Sequence, residues 1–262
     1  MSSKAGSTTQ RAEVKRVAVV THGRAETSGD VLTRLRTLAD ERGIELLLAD
    51  DELEKHGVGS EDGDSSRADL AVVLGGDGTM LRALQRFLGT TVPVIGVNLG
   101  RVGFLASINP DALEEGLVRV FGGEYVVVEL PALETEAGGE RWTAVNDVVV
   151  TSSTIGRMIE LAWAIGGEDL GKLPCDGLIC STPSGSTAYN LSNGGPVLVW
   201  GLDLAVENRT DAVSATVLAD GHPVHELAPG EQVGARLSEQ RSLLATLPES
   251  TFFSRYRRVF AS

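Results

Sequence analysis

Apolar positions in the first half of the chain fall into short runs separated by longer amphipathic stretches. Runs such as 16–20 and 68–74 predict buried strands, and the stretches between them predict helices. The predicted strands are 16–20, 44–48, 68–74 and 92–97, and the predicted helices are 29–42, 80–88 and 111–121. An acidic, glycine-rich loop is expected over 52–67, and Asn109 is expected to cap the last helix ahead of Pro110. Strands that alternate with helices predict an α/β fold with a parallel sheet, whose ligands bind outside the carboxyl ends of the strands.

From residue 125 onward the pattern changes to short alternating runs with turn signals between them, which is typical of an all-β domain. The predicted strands are 126–130, 142–151, 158–165, 177–181, 212–218 and 224–227. Asp220-Gly221 lies between two of these runs and predicts a hairpin turn. We therefore expect a disordered polar tail over 1–13, an α/β domain over 14–123 and an all-β domain over 124–262.

The segment with the clearest chemistry follows the strand predicted at 68–74 and reads Gly75-Gly76-Asp77-Gly78-Thr79. Glycines can adopt positive φ and carry no Cβ, so backbone N–H groups could surround a phosphate at the start of the next helix. Asp77 beside such an anion is unfavourable unless it deprotonates a hydroxyl or helps to hold a cation, which indicates phosphoryl transfer. The alternative at this point is an ordinary glycine turn in which Asp77 caps the helix.

Composition limits the partners that the chain can have. A net charge of -13 and a pI near 4.8 argue against broad binding to nucleic acid or to anionic membranes, whereas a small phosphate ligand stays possible. No apolar run approaches the ~20 residues of a membrane span. Cys175 and Cys180 are expected on opposite faces of one strand as reduced thiols, which favours a cytoplasmic location. His222 and His225 are expected on opposite faces of another strand, so no metal site is predicted there.

Four segments, taken together and in order, resemble the NAD kinases. They are Gly75-Gly76-Asp77-Gly78-Thr79; Gly96-Val97-Asn98-Leu99-Gly100-Arg101-Val102-Gly103-Phe104-Leu105; Asn146-Asp147; and Cys175-Asp176-Gly177 with Ser181-Thr182-Pro183-Ser184-Gly185-Ser186-Thr187-Ala188-Tyr189 and Gly194-Gly195-Pro196. The resemblance implies a Rossmann-like α/β N-terminal domain and an all-β C-terminal sandwich, with NAD held between them in a dimer or tetramer. Lipid kinases share only the first segment, and no membrane-facing surface is evident in this chain.

The resemblance also implies roles for particular residues. Asp77 would be the general base that takes the proton of the adenosine ribose 2′-hydroxyl of NAD, with Gly78 next to the substrate and Gly75, Gly76, Gly78 and Thr79 forming the phosphate loop. ATP with Mg²⁺, or polyphosphate, would be the phosphoryl donor. Asn146 and Asp147 match an Asn-Glu pair that binds adenosine, although the acid here is one methylene shorter.

Further residues are implied by the same likeness to contact NAD. Asp176 would hold the carboxamide or ribose end of the dinucleotide, and Arg82 and Arg157 would meet phosphates, for which arginine is well suited. The adenine and ribose pocket would be lined by Thr187, Ala188, Tyr189 and Ser192. Pro174, two residues before Asp176, has no side-chain donor, so a polar contact made there by the family is absent.

The chain departs from the family pattern after Gly194-Gly195-Pro196. Residues 197–201 run almost directly into 202–208, so a block of the sandwich is missing, and its loss is expected to expose strand edges. Two functions therefore stand. The first is an active NAD kinase that makes NADP, and the alternative is a catalytically weak NAD(P)-binding sensor or remnant.

Overall fold

The structure, a computed structural model, describes residues 13–22, 25–48, 52, 64–99, 103–196 and 204–250. The helices are α1 (Ala25–Glu41), α2 (Asp77–Arg86), α3 (Leu113–Phe121) and α4 (Tyr189–Ser192). The strands are β1 (Arg16–Thr21), β2 (Glu45–Leu48), β3 (Leu70–Leu74), β4 (Val94–Val97), β5 (Val126–Ala137), β6 (Glu140–Ala144), β7 (Asp147–Ser152), β8 (Ile159–Ile165), β9 (Glu168–Cys175), β10 (Gly177–Ser181), β11 (Leu204–Asn208), β12 (Ala215–Ala219), β13 (His222–Leu227) and β14 (Gln232–Thr246). Two compact units result, residues 1–129 with 242–262 and residues 130–241.

The first unit is built on a parallel sheet with the order β2-β1-β3-β4, as the alternating strands and helices predicted. Every residue of β3 is buried, because a parallel strand in the middle of such a sheet is covered on both faces. The end of β14 adds a further parallel strand through the pairing of Leu244 with Val94. The core cluster draws side chains from β1, β3, α1 and α3, with Leu35, Leu74 and Leu117 among its buried members.

Several boundaries in this unit differ from the prediction. Helix α2 begins at Asp77, three residues earlier than expected, because the glycine loop itself forms its first turn. A short 3₁₀ helix, Pro110–Ala112, precedes α3, and Asn109 makes no side-chain capping bond. Within the expected loop over 52–67, Ser65–Arg67 form another 3₁₀ turn, which the Asp64 carboxylate caps by accepting from Ser66 N. Residues 53–63 of that loop lie outside the described residues.

The second unit is an antiparallel β sandwich, in agreement with the all-β pattern. One sheet has the order β10-β7-β12-β13, and the other contains β14-β11-β8-β9, with β5 pairing to β6 and β14. The core between them includes Val150, Leu161, Val217 and Val233. The predicted hairpin at Asp220-Gly221 is confirmed, since both residues have positive φ, 48° and 79°, and join antiparallel β12 and β13.

Strand predictions in this unit were incomplete. The run predicted at 142–151 is two strands, β6 and β7, interrupted at Val145 and Asn146. Strands β9, β11 and the long β14 were not predicted. The two cysteines are free, but the reasoning that put them on one strand was wrong, because Cys175 ends β9 and Cys180 lies on β10 in the other sheet.

The shortened region after Pro196 lies partly outside the described residues, which resume at Leu204. Strand β11, which follows it, is hydrogen-bonded to β8 on one side and β14 on the other, so β11 itself is not an exposed edge. The domain limits 14–123 and 124–262 stay a prediction. Among the described residues, no helix is both long and apolar enough to cross a membrane.

We expect Ser242→Ala to lower the free energy of unfolding of the first unit by about 1 to 3 kcal/mol. The buried Ser242 Oγ donates a 2.8 Å hydrogen bond to the Leu84 carbonyl of α2, and its loss leaves that acceptor buried without this partner. Urea denaturation of Ser153→Ala, which removes an exposed hydroxyl, provides the control. Equal losses in the two variants would contradict the prediction.

Candidate active site

The glycine loop joins the buried end of β3 to α2. Gly75 N donates to the Val97 carbonyl of β4, and a Cβ on Gly75 would lie 2.5 Å from Thr79 Oγ1, so only glycine fits there. Gly75, Gly76 and Gly78 do not use the positive φ that glycine allows. A Cβ on Gly76 or Gly78 would meet no atom within 4 Å, so the start of α2 is open to a ligand. The helix N-terminus offers N–H donors to an anion there.

The Asp77 side chain links this loop to a second predicted segment. Its Oδ2 accepts a 2.7 Å bond from Phe104 N, and its Oδ1 accepts a 3.0 Å bond from Leu105 N. Asp77 is therefore not a side-chain cap of α2; Gly76 occupies the capping position without a side-chain bond. A Cβ on Gly103 would collide with the Asp77 carboxylate, which explains the glycine there. Residues 100–102 of the same segment lie outside the described residues.

Arg82 lies one turn further along α2, and its Nη2 donates a 2.8 Å bond to the Thr21 carbonyl at the end of β1. Because β1, β3 and β4 are parallel, their carboxyl ends share one edge of the sheet. Asp77, Arg82 and the glycine loop therefore meet at the edge where parallel sheets bind ligands. This part of the predicted site is brought together by the fold.

Val145 and Asn146 form the turn between β6 and β7, Asp147 is the first residue of β7, and the backbone of this stretch is held from two sides. The Asn146 carbonyl accepts from Thr182 N at 2.8 Å, and the Val145 carbonyl accepts from Thr182 Oγ1 at 2.7 Å. A Cβ on Gly185 would overlap the Asn146 backbone, so the Ser-Thr-Pro-Ser-Gly segment approaches this turn as closely as glycine permits. On the other side, the Asp220 carboxylate accepts from Val145 N, Asn146 N and Asp147 N.

The Asp147 side chain is 4% exposed and carries no countercharge among the described contacts. Burial raises its pKa to about 6, and the nearby Asp220 carboxylate adds to the rise. Burial together with Asp147 in turn raises the pKa of the Cys180 thiol to about 11. A carboxyl group that titrates near neutral pH is typical of functional sites, although it makes the folded state less stable when ionised.

The segment after Thr182 carries the predicted contacts Thr187, Ala188, Tyr189 and Ser192. Thr187 Oγ1 donates to the Ser184 carbonyl, Ser192 Oγ donates to the Ala188 carbonyl, and both Thr187 and Ala188 are half-buried. The Tyr189 side chain is 51% exposed, so it is not the core packing residue that a lone tyrosine would suggest. The buried Asn190 amide donates to the Ser186 and Pro196 carbonyls, which closes the segment on itself.

Asp176 and Arg157 are not brought close to Asn146 and Asp147. The Asp176 carbonyl accepts from Thr151 Oγ1 and Ser152 N at the end of β7, whereas Asp147 begins that strand. At ~3.3 Å per residue, the two ends of β7 are roughly 16 Å apart. Arg157 is exposed in the turn that follows the same end of β7, where its backbone N–H bonds to Thr154. The sandwich thus has two groups of predicted residues, one at each end of β7.

The comparisons with known proteins decide the family. The family model described as the ATP-NAD kinase N-terminal domain matches residues 4–125, and that of the ATP-NAD kinase C-terminal domain matches residues 145–225. An NAD kinase from Gemmatimonas aurantiaca is 34% identical over 219 residues, which are 72% of this chain and 76% of the relative. The chain belongs to the NAD kinase family.

Solved structures of kinases show the same fold. The yeast NADH kinase complexed with NADH superposes with a TM-score of 0.81 and covers 96% of this chain and 88% of its own; at 19% identity, this likeness concerns the fold alone. An NAD kinase from Archaeoglobus fulgidus in complex with ATP has a TM-score of 0.70 and 25% identity, covering 94% of this chain and 97% of its own. The α/β unit followed by a β sandwich, expected from the sequence, is thereby confirmed.

Two residues of the candidate site were not singled out by sequence reasoning. Thr182 was seen only as part of a motif, yet its buried hydroxyl donates to Val145 and accepts from Gly185 N. Asp220 was recognised only as a turn residue, because a hairpin prediction requires no more than positive φ. The signal that distinguishes it is its type, since Asn or Gly would satisfy the same turn without a negative charge.

We expect Asp147→Asn to stabilise the protein at pH 8 by about 1 to 3 kcal/mol and to have a smaller effect at pH 4. The folded-state pKa near 6 lies above the usual value of 3.8, so stability falls as the pH rises through that window and the carboxylate ionises. Asparagine keeps the shape and carries no charge. Thermal unfolding at the two pH values checks this, with the exposed Asp211→Asn as control. A gain that is independent of pH would count against the explanation.

Proposed function

We propose that this chain transfers the γ-phosphoryl group of ATP to the adenosine ribose 2′-hydroxyl of NAD, giving NADP and ADP. The observation that carries the proposal is the glycine loop, where an Asp77 carboxylate lies beside the open N-terminus of α2 at the ligand-binding edge of a parallel sheet. Membership of the NAD kinase family supports the acceptor. The likeness to an NAD kinase in complex with ATP supports the donor.

In the reaction, the ribose 2′-oxygen attacks the γ-phosphorus, the bond from the γ-phosphorus to the β–γ bridging oxygen breaks, and Asp77 takes the hydroxyl proton. Each Asp77 oxygen accepts one backbone N–H bond and keeps a further lone pair for that proton. The two backbone bonds fix the carboxylate, so little reorganisation is needed when the hydroxyl arrives. A general base positioned in this way contributes about 10² to 10⁴ in rate.

For NAD recognition we assign the turn of Asn146 and Asp147 to the adenosine, together with Thr187, Ala188, Tyr189 and Ser192. Asp147 can accept hydrogen bonds from hydroxyl or amino groups of the nucleoside once it is ionised. Asp176 and Arg157, at the other end of β7, are assigned to the nicotinamide ribose or carboxamide end and to phosphate respectively. Arg82 has guanidinium N–H groups beyond the one used by Thr21, and we assign it to phosphate.

Mg²⁺ is expected to enter with the donor. Among the described residues, no three His, Cys, Asp or Glu side chains form a metal-binding group. Mg²⁺ that enters in this way would be held mainly by nucleotide phosphates and water. The cation would neutralise charge on the β- and γ-phosphates. We also propose polyphosphate as an alternative donor, a cytoplasmic location and a homo-oligomer.

We expect Asp77→Asn to lower turnover about 10² to 10⁴-fold, because the amide cannot take the ribose proton. NADP formation is followed with an NADP-specific dehydrogenase in the presence of NAD, ATP and Mg²⁺. Calorimetry on the same variant is expected to show NAD and ATP affinity within a few fold of wild type. Asp111→Asn, which alters an exposed carboxylate in the same unit, is the control and is expected to retain full activity.

Near wild-type turnover in a folded Asp77→Asn variant would exclude Asp77 as the base. The sensor alternative predicts a different result, since a wild-type chain that binds NAD without forming NADP would support it. The reason for the sensor alternative is the shortened stretch after Pro196. The assay tests this alternative directly because it uses the chain with that stretch as it is.

We expect Asp176→Ala to weaken NAD binding by about tenfold and to leave the KM for ATP unchanged, since one polar contact of this kind is worth about 1.4 kcal/mol. The Asp176 side chain is exposed at the end of β9, so its removal should not disturb folding. Calorimetric titration with NAD checks the prediction. Unchanged NAD affinity would remove Asp176 from the site, and Asp169→Ala on the same hairpin is the matched control.

A further inference from the structure

The turn that carries Asn146 and Asp147 depends on a residue 74 and 73 positions away in the sequence. The Asp220 carboxylate accepts three backbone N–H bonds, from Val145 N at 2.7 Å, Asn146 N at 2.6 Å and Asp147 N at 3.1 Å. Its own N–H donates to the Asp147 carbonyl at 2.9 Å. One side chain therefore accepts from every amide of the turn.

The location of these bonds makes them hard to replace. Val145 is 1% exposed, Asp147 4% and Asp220 8%, so water does not take over a lost partner readily. Residues 145 and 146 lie between β6 and β7, outside the strand pairing that satisfies their neighbours. Without the carboxylate, two or three buried N–H groups would lose their acceptor, and the turn would have to rearrange.

The carbonyl groups of Val145 and Asn146 accept hydrogen bonds from Thr182 instead. Asp220 binds the N–H groups of the same residues, and these bonds fix the orientation of their peptide planes. The orientation of the peptide planes in turn sets the direction of the Asn146 side chain. The negative charge also makes these bonds stronger than bonds to a neutral acceptor. It has a cost, because Asp147 is buried next to a like charge.

Turn geometry alone does not account for an aspartate at position 220. Its φ of 48° is tolerated by Asn as well as by Asp, and the following Gly221 has φ 79°. An Asn-Gly pair would form the same hairpin. What Asn cannot supply is a second carboxylate oxygen, so the side-chain charge serves the neighbouring turn and not the hairpin in which it lies.

We propose that Asp220 is a positioning residue for NAD recognition, which orients Asn146 and Asp147 toward the adenosine by fixing the backbone between β6 and β7. It does not touch the substrate in this account. The inference rests on the proposed function, because it takes these two residues as the adenosine contacts. It extends that function to a hairpin outside every segment that carried the resemblance.

The decisive variant is Asp220→Asn, which keeps the turn and removes the carboxylate. We expect its dissociation constant for NAD to rise by about tenfold, with the KM for ATP unchanged, as one or two charge-assisted bonds are lost. Amide hydrogen exchange is expected to become faster at residues 145–147 and to stay unchanged in β8. Gly221→Ala is the matched control, since it strains the same hairpin at positive φ and leaves the carboxylate in place.

Two results would overturn the inference. One is an Asp220→Asn protein with wild-type NAD affinity, and the other is a Gly221→Ala protein whose NAD affinity falls by as much, which would attribute the effect to hairpin stability. If Asp220→Asn does not fold, Asp220→Glu takes its place, because it keeps the charge and displaces it by one methylene. Weaker NAD binding in Asp220→Glu supports the proposal, and unchanged binding refutes it.

Measurements on the wild-type chain distinguish a failure of the proposed function from a failure of the role proposed for Asp220. A wild type that neither binds nor phosphorylates NAD overturns the proposed function and the role of Asp220 together. A wild type that does both, beside an Asp220→Asn variant that is unaffected, overturns the role of Asp220 alone.

Discussion

In each of the two units, a carboxylate that accepts backbone N–H bonds fixes the conformation of the backbone around candidate residues. Asp77 accepts from residues 104 and 105 in the first unit, and Asp220 accepts from residues 145 to 147 in the second. In each case a side chain reaches over many residues to backbone N–H groups that, except for that of Asp147 at the start of β7, lie outside the helices and strands. A loop held in this way can present a functional group in one orientation, which a phosphoryl transfer that relies on positioning requires.

The neighbouring carboxylates of Asp147 and Asp220 in the second unit show that such positioning lowers stability. Asp147 is buried beside Asp220 and has no described cationic partner, so its ionised form is unfavourable and its pKa is raised. A protein under selection for stability alone would place a neutral residue at this position. The charge at this position is understandable if a ligand supplies hydrogen-bond donors that the described residues do not provide.

Much of the architecture could be read from the sequence because its signals are local. Apolar runs located β1, β3 and β4, and Asp220-Gly221 located a hairpin. Strands β9 and β14 were not predicted because their apolar patterns are weak. Strand β9 is exposed along nearly its whole length, so it has no alternation of apolar and polar residues. The glycine loop was recognised by its residues, but the hydrogen bonds from Phe104 and Leu105 to Asp77 join residues 27 and 28 positions apart and could be found only in three dimensions. The hydrogen bonds of Asp220 to residues 145–147 could likewise be found only in three dimensions, because the sequence identified Asp220 as a hairpin residue and no more.

Strand β14 has a consequence for the order in which the protein can form. The end of β14 pairs with β4 through Leu244 and Val94, so the parallel sheet of the first unit includes a residue 150 positions further along the chain. During synthesis the ribosome has to release the chain beyond residue 246 before β14 can join this sheet, and until then β4 lacks that partner. The first unit is therefore not an autonomous early product of translation, and a chain interrupted before residue 242 would leave it with an open edge for chaperones or other chains to engage.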